Sequence, residues 1–516
     1  MTNSVEEIRD AEVIFVTGSN TTEQHPLIGA KVIEAKRRGS FLIVADPRKI
    51  QLSRLADIHL QHKIGSDVAL INGMIHVILK KGLQNREFIT RRTNGFELLA
   101  STVEGYSPEV VSELAGIDPK VLREAAIAYA KAERSMILYA MGITQHVVGT
   151  NNVRSLANLC LVTGHIGRPS VGVNPLRGQN NVQGACDMGG LPNVFSGYQS
   201  VSDPRVRERF ENFWGKSPLP DMQGLTLTEM IRKAEERGLK ALFIMGENPV
   251  VSDPDSKHVL KALKRLDLLV VEDIFPNETS ELAHVILPSQ TFAEKEGTYT
   301  NTERRVQFSE KAVSPPPGTK PDWEILCEIG NRLGMNLNYN GPGDILKEIN
   351  EITPSYRGIT YDRVRESFGL QWPCPDTAHP GTPYLHKDSF PKGKAEFASI
   401  EYRPVPEQPS DEYPFILTTG RLYAHYHTRS LTKRIDLLER EGGKPCIVIN
   451  PSDAKRLRIR EGMLVAVESK RGEIRRIAHI SEEVPEGVVF GSFHFGESNI
   501  NQLTLPELDP IAKIPE

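Results

Sequence analysis

The chain has 516 residues, 39% of them apolar and 25% charged, the ordinary balance of a soluble globular protein with room for several domains and sizeable cores. Its 62 basic and 66 acidic residues leave a formal net charge of -4, which excludes bulk attraction to nucleic acid or to an anionic membrane. The charged start, with Glu6, Glu7, Arg9, Asp10 and Glu12, does not read as a secretory signal, and no apolar run is long enough to span a bilayer, so a cytoplasmic location without membrane insertion is expected.

Glu12 to Thr17 is a short, nearly continuous apolar run of the kind that forms a buried parallel strand, ended by Gly18-Ser19-Asn20. After Pro26, apolar residues at Ile28, Val32, Ile33 and Ala35 follow helical spacing, with Lys36, Arg37 and Arg38 in the last turn and Gly39 as a stop. Phe41 to Ala45 is the next strand, and Asp46 stands at its carboxyl end. Pro108 to Lys131 and Asn151 to Leu161 read as helices.

Asn174 to Gly190 is different in kind. It holds Arg177, the side-chain amides of Gln179, Asn180, Asn181 and Gln183, and four glycines including Gly178, with few large apolar residues. Such a segment offers backbone N–H groups and amide forks to a ligand, and a guanidinium fork suits a carboxylate or a phosphate. The region from Tyr198 to Pro220 looks irregular.

The β-α-β pattern then returns. Ala241 to Met245 is a strand, Gly246-Glu-Asn248 repeats the Gly-x-Asn, Val259 to Leu266 is helical, and Leu268 to Val271 leads to Asp273. Gly18 to Asp46 spans 28 positions and Gly246 to Asp273 spans 27, and Leu55 and Leu282 open similar apolar runs nine residues beyond each Asp. Taken singly, a Gly-x-Asn after a strand is a turn and a strand-end Asp is a cap. Repeated in step, they favour two nucleotide moieties, or one cofactor built from two dinucleotides, each in the crevice at the carboxyl ends of its strands.

Ser289 to Gln307 carries Glu294, Glu296, Glu303, Arg304 and Arg305, and its interruption at Gly297 to Asn301 is expected as a ligand-facing loop. Pro321 to Leu333 is a helix expected to bury Trp323, Leu326, Ile329 and Leu333. Pro and Gly become denser from Tyr339 to Pro409. From Tyr413 onward short β-rich runs at Phe415–Thr418, Ile447–Ile449, Met463–Glu468 and Val488–Phe490, with a hairpin turn at Lys470-Arg471-Gly472, predict a β-barrel domain. Two of its loops, Gly420 to His427 and His494 to Asn499, gather His, Tyr and Arg, a composition suited to cofactor contact rather than to a metal cage. The five cysteines, Cys160, Cys186, Cys327, Cys374 and Cys446, are scattered and form no CxxC or Cys/His pattern.

The assembled motifs resemble the catalytic subunit of molybdopterin-dependent formate dehydrogenases, within the bis(molybdopterin guanine dinucleotide) oxidoreductases. The resemblance runs from Met1 to Glu516. It is carried by Ser19-Asn20 with His25-Pro26, Asp46-Pro-Arg48, Gly65-Ser-Asp67, Met141-Gly-Ile-Thr-Gln145, Arg177 to Met188, Gly246-Glu-Asn-Pro249, Gly420-Arg421 and Asn499 to Asp509. The Arg177 stretch is the part specific to the formate dehydrogenase branch.

The resemblance implies two related Rossmann-like α/β domains, 1–179 and 180–409, and a C-terminal β-barrel domain, 410–516. It implies a bis-molybdopterin guanine dinucleotide cofactor with molybdenum or tungsten between the two dithiolenes. Cofactor contacts are expected at Gly18, Asn20, Asp46, Arg48, Gly65, Asp67, Gly142, Gln145, Gly178, Gln179, Gly246, Asn248, Asp273, Arg421, His425 and Asn499. Arg177 is expected to orient formate beside the metal. Electrons would leave to iron–sulfur subunits or domains outside the chain.

Members of that family also carry an N-terminal 4Fe-4S domain and a Cys or selenocysteine metal ligand, neither of which is in this sequence. The expectation is that the ligand falls just before Met1, that the reading frame starts downstream of an in-frame UGA, or alternatively that the chain is a deliberately expressed fragment, and that it does not turn over formate alone. Two other readings stand beside this one: a non-catalytic molybdopterin-binding or assembly protein, and another molybdenum enzyme such as a nitrate reductase.

Overall fold

A computed structural model describes all residues from 1 to 516. It divides into two compact units, Met1–Gly178 with Tyr384–Glu516, and Gln179–Pro383.

The first unit begins with a five-stranded parallel sheet made of β1 (Val13–Thr17), β2 (Phe41–Ala45), β3 (Ile58–Leu60), β4 (Ser135–Tyr139) and β5 (Gly172–Pro175), in the order β3-β2-β1-β4-β5. The short helix α1 (Thr21–Gln24) and then α2 (Pro26–Arg37) connect β1 to β2, with Pro26 at the first helical position, where its missing N–H costs nothing. Further on lie α3 (Asp67–Lys80) and α4 (Gly149–Thr163). Alternate residues of the strands face two cores. Val13, Phe15 and Ile43 pack with α3 and α4, while Ile14, Val16, Leu42 and Val44 pack with α2. Helices thus cover the parallel sheet on both faces, which is why its strands read as continuous apolar runs. The segment Pro108 to Lys131 is not one helix but two, Pro108–Ala115 and Pro119–Lys131, because Gly116 takes a left-handed φ of 75° and Asp118 caps a new start.

In the second unit the next helix is α5 (Val182–Asp187). The region expected to be irregular contains an eleven-residue helix, Pro204–Trp214. Asp203 caps it by accepting from the Arg205 N–H, Pro204 opens it, and Gly215 ends it at a φ of 62°. Its only buried residue is Phe210, too narrow an apolar stripe to declare itself in the sequence. A three-stranded parallel sheet follows, formed by β6 (Ala241–Met245), β7 (Leu268–Asp273) and β8 (Val285–Pro288) in the order β8-β7-β6. The helices Leu227–Glu235 and Ser256–Leu263 pack on one of its faces through Ile231, Val259, Ala262 and Leu263.

Gly297 to Thr300 is a strand, β9, rather than the expected loop. It pairs antiparallel with β10 (Arg305–Ser309), since Thr-Tyr-Thr has the β-branched and aromatic side chains that suit a pleated surface. The helix Asp322–Arg332 exists as read, but its buried face is set by Ile325 and Gly330. Leu326 and Leu333 face outward, Leu333 at 77% exposure.

The C-terminal runs form a five-stranded mixed sheet in the first unit: β11 (Ile416–Gly420), β12 (Cys446–Ile449), β13 (Leu464–Ser469), β14 (Gly472–Ile480) and β15 (Val488–Ser492), ordered β11-β15-β12-β14-β13. The hairpin turn falls at Lys470-Arg471, between the paired residues Ser469 and Gly472. The polar strand β14 does not declare itself in the sequence because its inward residues include Arg476.

Candidate functional site

In each unit candidate residues gather at the carboxyl ends of the parallel strands, Gly18 and Asp46 after β1 and β2, Gly246 after β6 and Asp273 at the end of β7. In the first, Gly18 turns the chain off β1 with φ 55°, donates to the Ala45 carbonyl at 3.2 Å and accepts from the Gly142 N–H at 3.0 Å. A Cβ on Gly18 would sit 2.7 Å from the Gly142 carbonyl carbon, and one on Gly142 would sit 2.7 Å from the Gly18 oxygen. Both are glycine for backbone approach. Asn20 is buried at the N-terminal end of α1.

Asp46 is buried just past β2 and accepts from the Arg48 N–H at 2.9 Å; burial raises its carboxyl pKa, with the Arg48 charge acting against that. Arg48 pairs with Glu483 at 2.8 Å and lies 4.0 Å from the centre of the Phe490 ring, so the C-terminal sheet covers the Asp46 turn. Gly65, with φ 79°, leads into α3, where a Cβ would lie 2.3 Å from Val405. Asp67, at the start of α3, faces His62 at 3.2 Å. Burial opposes charge on both, and their mutual attraction outweighs it, raising the His62 pKa and lowering that of Asp67. Gln145 donates to the Pro515 carbonyl at 2.5 Å.

Arg177 lies two residues beyond β5, whose last anchor is the Leu176 N–H on the Tyr139 carbonyl at 2.8 Å. Its side chain is exposed, and its carbonyl oxygen accepts from His25 Nε2 at 3.0 Å. Burial pushes the Tyr139 hydroxyl up to about 12, against the opposing charge of Arg177.

Nearby in the same unit, Arg421 is partly buried, 5.1 Å from the centre of the Phe493 ring. Burial, with the Arg421 charge second or later among the causes, holds His25, His427 and His494 below the usual histidine range, the last two at about 4. His494 accepts from the Leu422 N–H at 2.8 Å and donates through Nδ1 to the His427 carbonyl. His425 is buried with Nδ1 on Thr432 Oγ1 at 3.2 Å. Asn499 is buried and accepts from the Asn501 N–H.

The loop bearing His494 and Asn499 is gripped by a residue that no motif marks. Fully buried Arg476 donates to the Ser492 carbonyl at 2.9 Å and to the Ser498 carbonyl at 2.5 Å, tying both ends. The alternation Ile474, Arg476, Ala478 along β14 is the signal that places it inward.

In the second unit Gly246 repeats the turn with φ 63° and donates to the Glu272 carbonyl at 2.8 Å, yet a Cβ there would meet nothing within 4 Å. Asn248 is buried, accepting from the Thr279 hydroxyl at 2.8 Å and donating to Glu278 at 2.7 Å. Asp273 ends β7 with both oxygens engaged locally, by the Ile274 N–H at 2.6 Å and Asn277 Nδ2 at 2.7 Å. Asp253 and Glu272, which the sequence pattern does not single out, are the uncommitted acceptors: Asp253 Oδ2 and both Glu272 oxygens are buried without a partner, and burial pushes each carboxyl up to about 7.

The amides of the polar stretch are not all on offer. Gln183 is buried and donates to Asp187 at 2.8 Å, and Asn181 accepts from the Thr300 N–H at 2.9 Å. Asp187 is a fully buried hub that also takes bonds from Tyr198 at 2.8 Å, Tyr356 at 2.5 Å and Trp372 Nε1 at 2.6 Å. A helix this short and Gly-rich needs such pinning, and the amides nearest the hub serve it. Gly178 and Gln179 lie where one unit gives way to the other, Gly178 exposed and Gln179 partly so.

The family models for Molybdopterin oxidoreductase and for the Molydopterin dinucleotide binding domain match residues 1–332 and 415–516. The chain belongs to the molybdopterin oxidoreductase family. It is 52% identical to the F420-dependent formate dehydrogenase subunit alpha of Methanocaldococcus jannaschii, over all of this chain and 76% of that one. It is 41% identical to formate dehydrogenase H of Escherichia coli, again over its whole length and 73% of that protein. Among solved structures, acetylene hydratase from Pelobacter acetylenicus superposes with a TM-score of 0.78 at 20% identity, covering all of this chain and 79% of that one, a likeness of fold.

The residues present suit the family's cofactor. Pterin and guanine edges and ribose hydroxyls are rich in N–H and O–H donors, and the orphaned acceptors Asp253 Oδ2, Glu272 Oε1 and Oε2 and His425 Nε2 are buried at the expected positions or beside them. No helix is long and apolar enough to cross a membrane.

Proposed function

We propose that this chain provides the cofactor-binding and substrate-orienting body of an oxidoreductase that interconverts formate and carbon dioxide at a molybdenum or tungsten bis-molybdopterin guanine dinucleotide centre, with electrons passing to iron–sulfur partners. The observation that carries the reading is the stretch from Arg177 to Met188, in a chain 52% identical throughout to a formate dehydrogenase alpha subunit. When bound, the metal and its dithiolenes supply the two-electron redox chemistry.

The protein's part is binding and orientation. Arg177, exposed at a strand end, offers two parallel N–H donors to the two oxygens of formate, which fixes the smallest carboxylate and leaves its C–H bond free. Arg421 provides a second guanidinium for anionic groups of the cofactor, among histidines kept neutral, so hydrogen bonds can be made there without added charge. Gly18, Asn20, Asp46, Arg48, Gly65, Asp67, Gly142, Gln145, His425 and Asn499 serve one dinucleotide. Gly246 and Asn248, with Asp253 and Glu272 added to them, serve the other, and Asp273 holds the turn beside them.

The test is metal and pterin analysis of the assembled enzyme together with formate-dependent dye reduction. Arg177→Lys, which keeps the charge and loses the fork, is expected to lower kcat/KM for formate about 100-fold with cofactor content unchanged. Full cofactor without formate turnover in the assembled wild-type enzyme, or turnover of nitrate instead, overturns the proposal.

A further inference from the structure

We infer that His25 is a positioning residue that sets the backbone of the substrate-orienting arginine. The inference rests on the role proposed for Arg177 and concerns how that role is achieved. His25 and Arg177 are 152 positions apart, yet the imidazole Nε2 lies 3.0 Å from the Arg177 carbonyl oxygen. An oxygen can only accept, so Nε2 carries the hydrogen and the tautomer is fixed by this contact.

His25 is a rigid post. It is the junction of α1 and α2: its own N–H donates to the Thr21 carbonyl at 3.0 Å, its carbonyl accepts from the Gly29 N–H at 2.8 Å, and Pro26 fixes the next φ. A side chain on Gly29 would lie 3.0 Å from the Thr22 Cα, so α1 and α2 meet there too closely for the post to move easily. Arg177 has the opposite character. It is exposed, past the last paired residue of β5, and the segment after it is rich in glycine and amides rather than in apolar anchors.

A guanidinium on such a strand end is only as well aimed as its backbone, and a carbonyl held from a rigid helix junction removes rotation about the Arg177 peptide plane. A displacement of even 1 Å at an orienting group is costly in rate, which gives this single bond leverage beyond its own strength. The other ring nitrogen, Nδ1, is buried without a protein partner, so no second bond competes for the orientation of the ring.

The experiment is a mutant cycle in the assembled, cofactor-loaded enzyme. His25→Ala should raise KM for formate and lower kcat/KM about 5- to 20-fold, the worth of one to two hydrogen bonds, with metal and pterin content unchanged. His25→Gln, whose amide nitrogen reaches the same carbonyl, should restore most of the loss. In an Arg177→Lys background His25→Ala should add little, because the fork it positions is already gone. Peptide-level hydrogen exchange across residues 175–181 should quicken in His25→Ala and return in His25→Gln, a readout independent of turnover.

Full additivity of the two changes, unaltered KM in His25→Ala, or loss of cofactor in both His25 variants would each overturn the inference. The two proposals fail separately. Normal turnover in Arg177→Lys removes the substrate-orienting role itself, whereas a crippled Arg177→Lys beside a normal His25→Ala removes only the positioning role.

Discussion

The two β-α-β units, Val13 to Leu60 and Ala241 to Pro288, are built alike and buried differently. Both are parallel, both place the later strands in the same order on one side of the first, and both leave that strand on a positive-φ glycine whose N–H binds the end of the second strand. In the first unit of the protein the sheet is covered on both faces, and Phe15 is 0% exposed. In the second a single core cluster covers one face, and Phe243, three residues before Gly246 as Phe15 is three before Gly18, is 38% exposed, with Met245, Leu268 and Val285 also open. Gly18 is pressed against Gly142, whereas Gly246 has open space around it. A local sequence of this kind specifies strand, turn and helix. How many layers press on them is decided by what the rest of the chain brings.

The largest expected consequence lies at the equivalent phenylalanines. Phe15→Ala should cost about 4 kcal/mol by opening a cavity in a closed core, and Phe243→Ala about 1–2 kcal/mol, because part of that ring is already in water. Hydrogen exchange of the strand peptides in the full chain separates the two, and equal losses would mean that the two sheets are covered alike. The glycines come next. Gly18→Ala combines a left-handed backbone with a backbone clash and should cost about 3 kcal/mol, against about 1–2 kcal/mol for Gly246→Ala, where only the backbone strain remains. Urea denaturation of each variant reports the difference, and a harmless Gly18→Ala would contradict the 2.7 Å approach to Gly142.

The smallest expected effect is electrostatic and belongs to the second unit. Asp253 keeps its proton up to about pH 7 when folded and gives it up near the usual 3.8 when unfolded. Between those values the native state binds more protons, so the stability present at low pH is lost as pH rises through this window. Asp253→Asn in the ligand-free chain should remove part of that slope, about 1 kcal/mol. An unchanged stability profile from pH 4 to 7 would show that the carboxyl is ionised after all. Addition of a guanine nucleotide, whose ring N–H groups bind the ionised form, should lower the apparent pKa of the wild-type group.

Much of the site is legible in the order of residues alone. The paired Gly-x-Asn and Asp signals mark the carboxyl ends of strands in both units, and the polar stretch after Asn174 stands out around Arg177, because glycine, amide and guanidinium at such density make poor core. Less legible is which of those side chains remain available. Asp273 and Gln183 have the right chemistry, but one closes its own turn and the other serves the buried Asp187, while Asp253 and Glu272 have no motif to mark them and are left with bare oxygens. Competition among neighbouring donors is a matter of distance, and a linear pattern does not hold it. The same limit explains the helix Pro204–Trp214, with a single buried residue, and the buried Arg476 inside a polar strand.

The sequence by itself determined the period of each element, the turns at Gly18 and Gly246, the doubling of the β-α-β unit and the family, since these follow from side-chain spacing, backbone freedom and motif order along the chain. Only the tertiary structure decided that His25 reaches the Arg177 carbonyl, that Glu483 and Phe490 close over Arg48, and that one sheet is covered twice and the other once. The first two join residues more than a hundred positions apart, and all their energies depend on approach to within a few tenths of an ångström, which is fixed by packing and not by order in the chain.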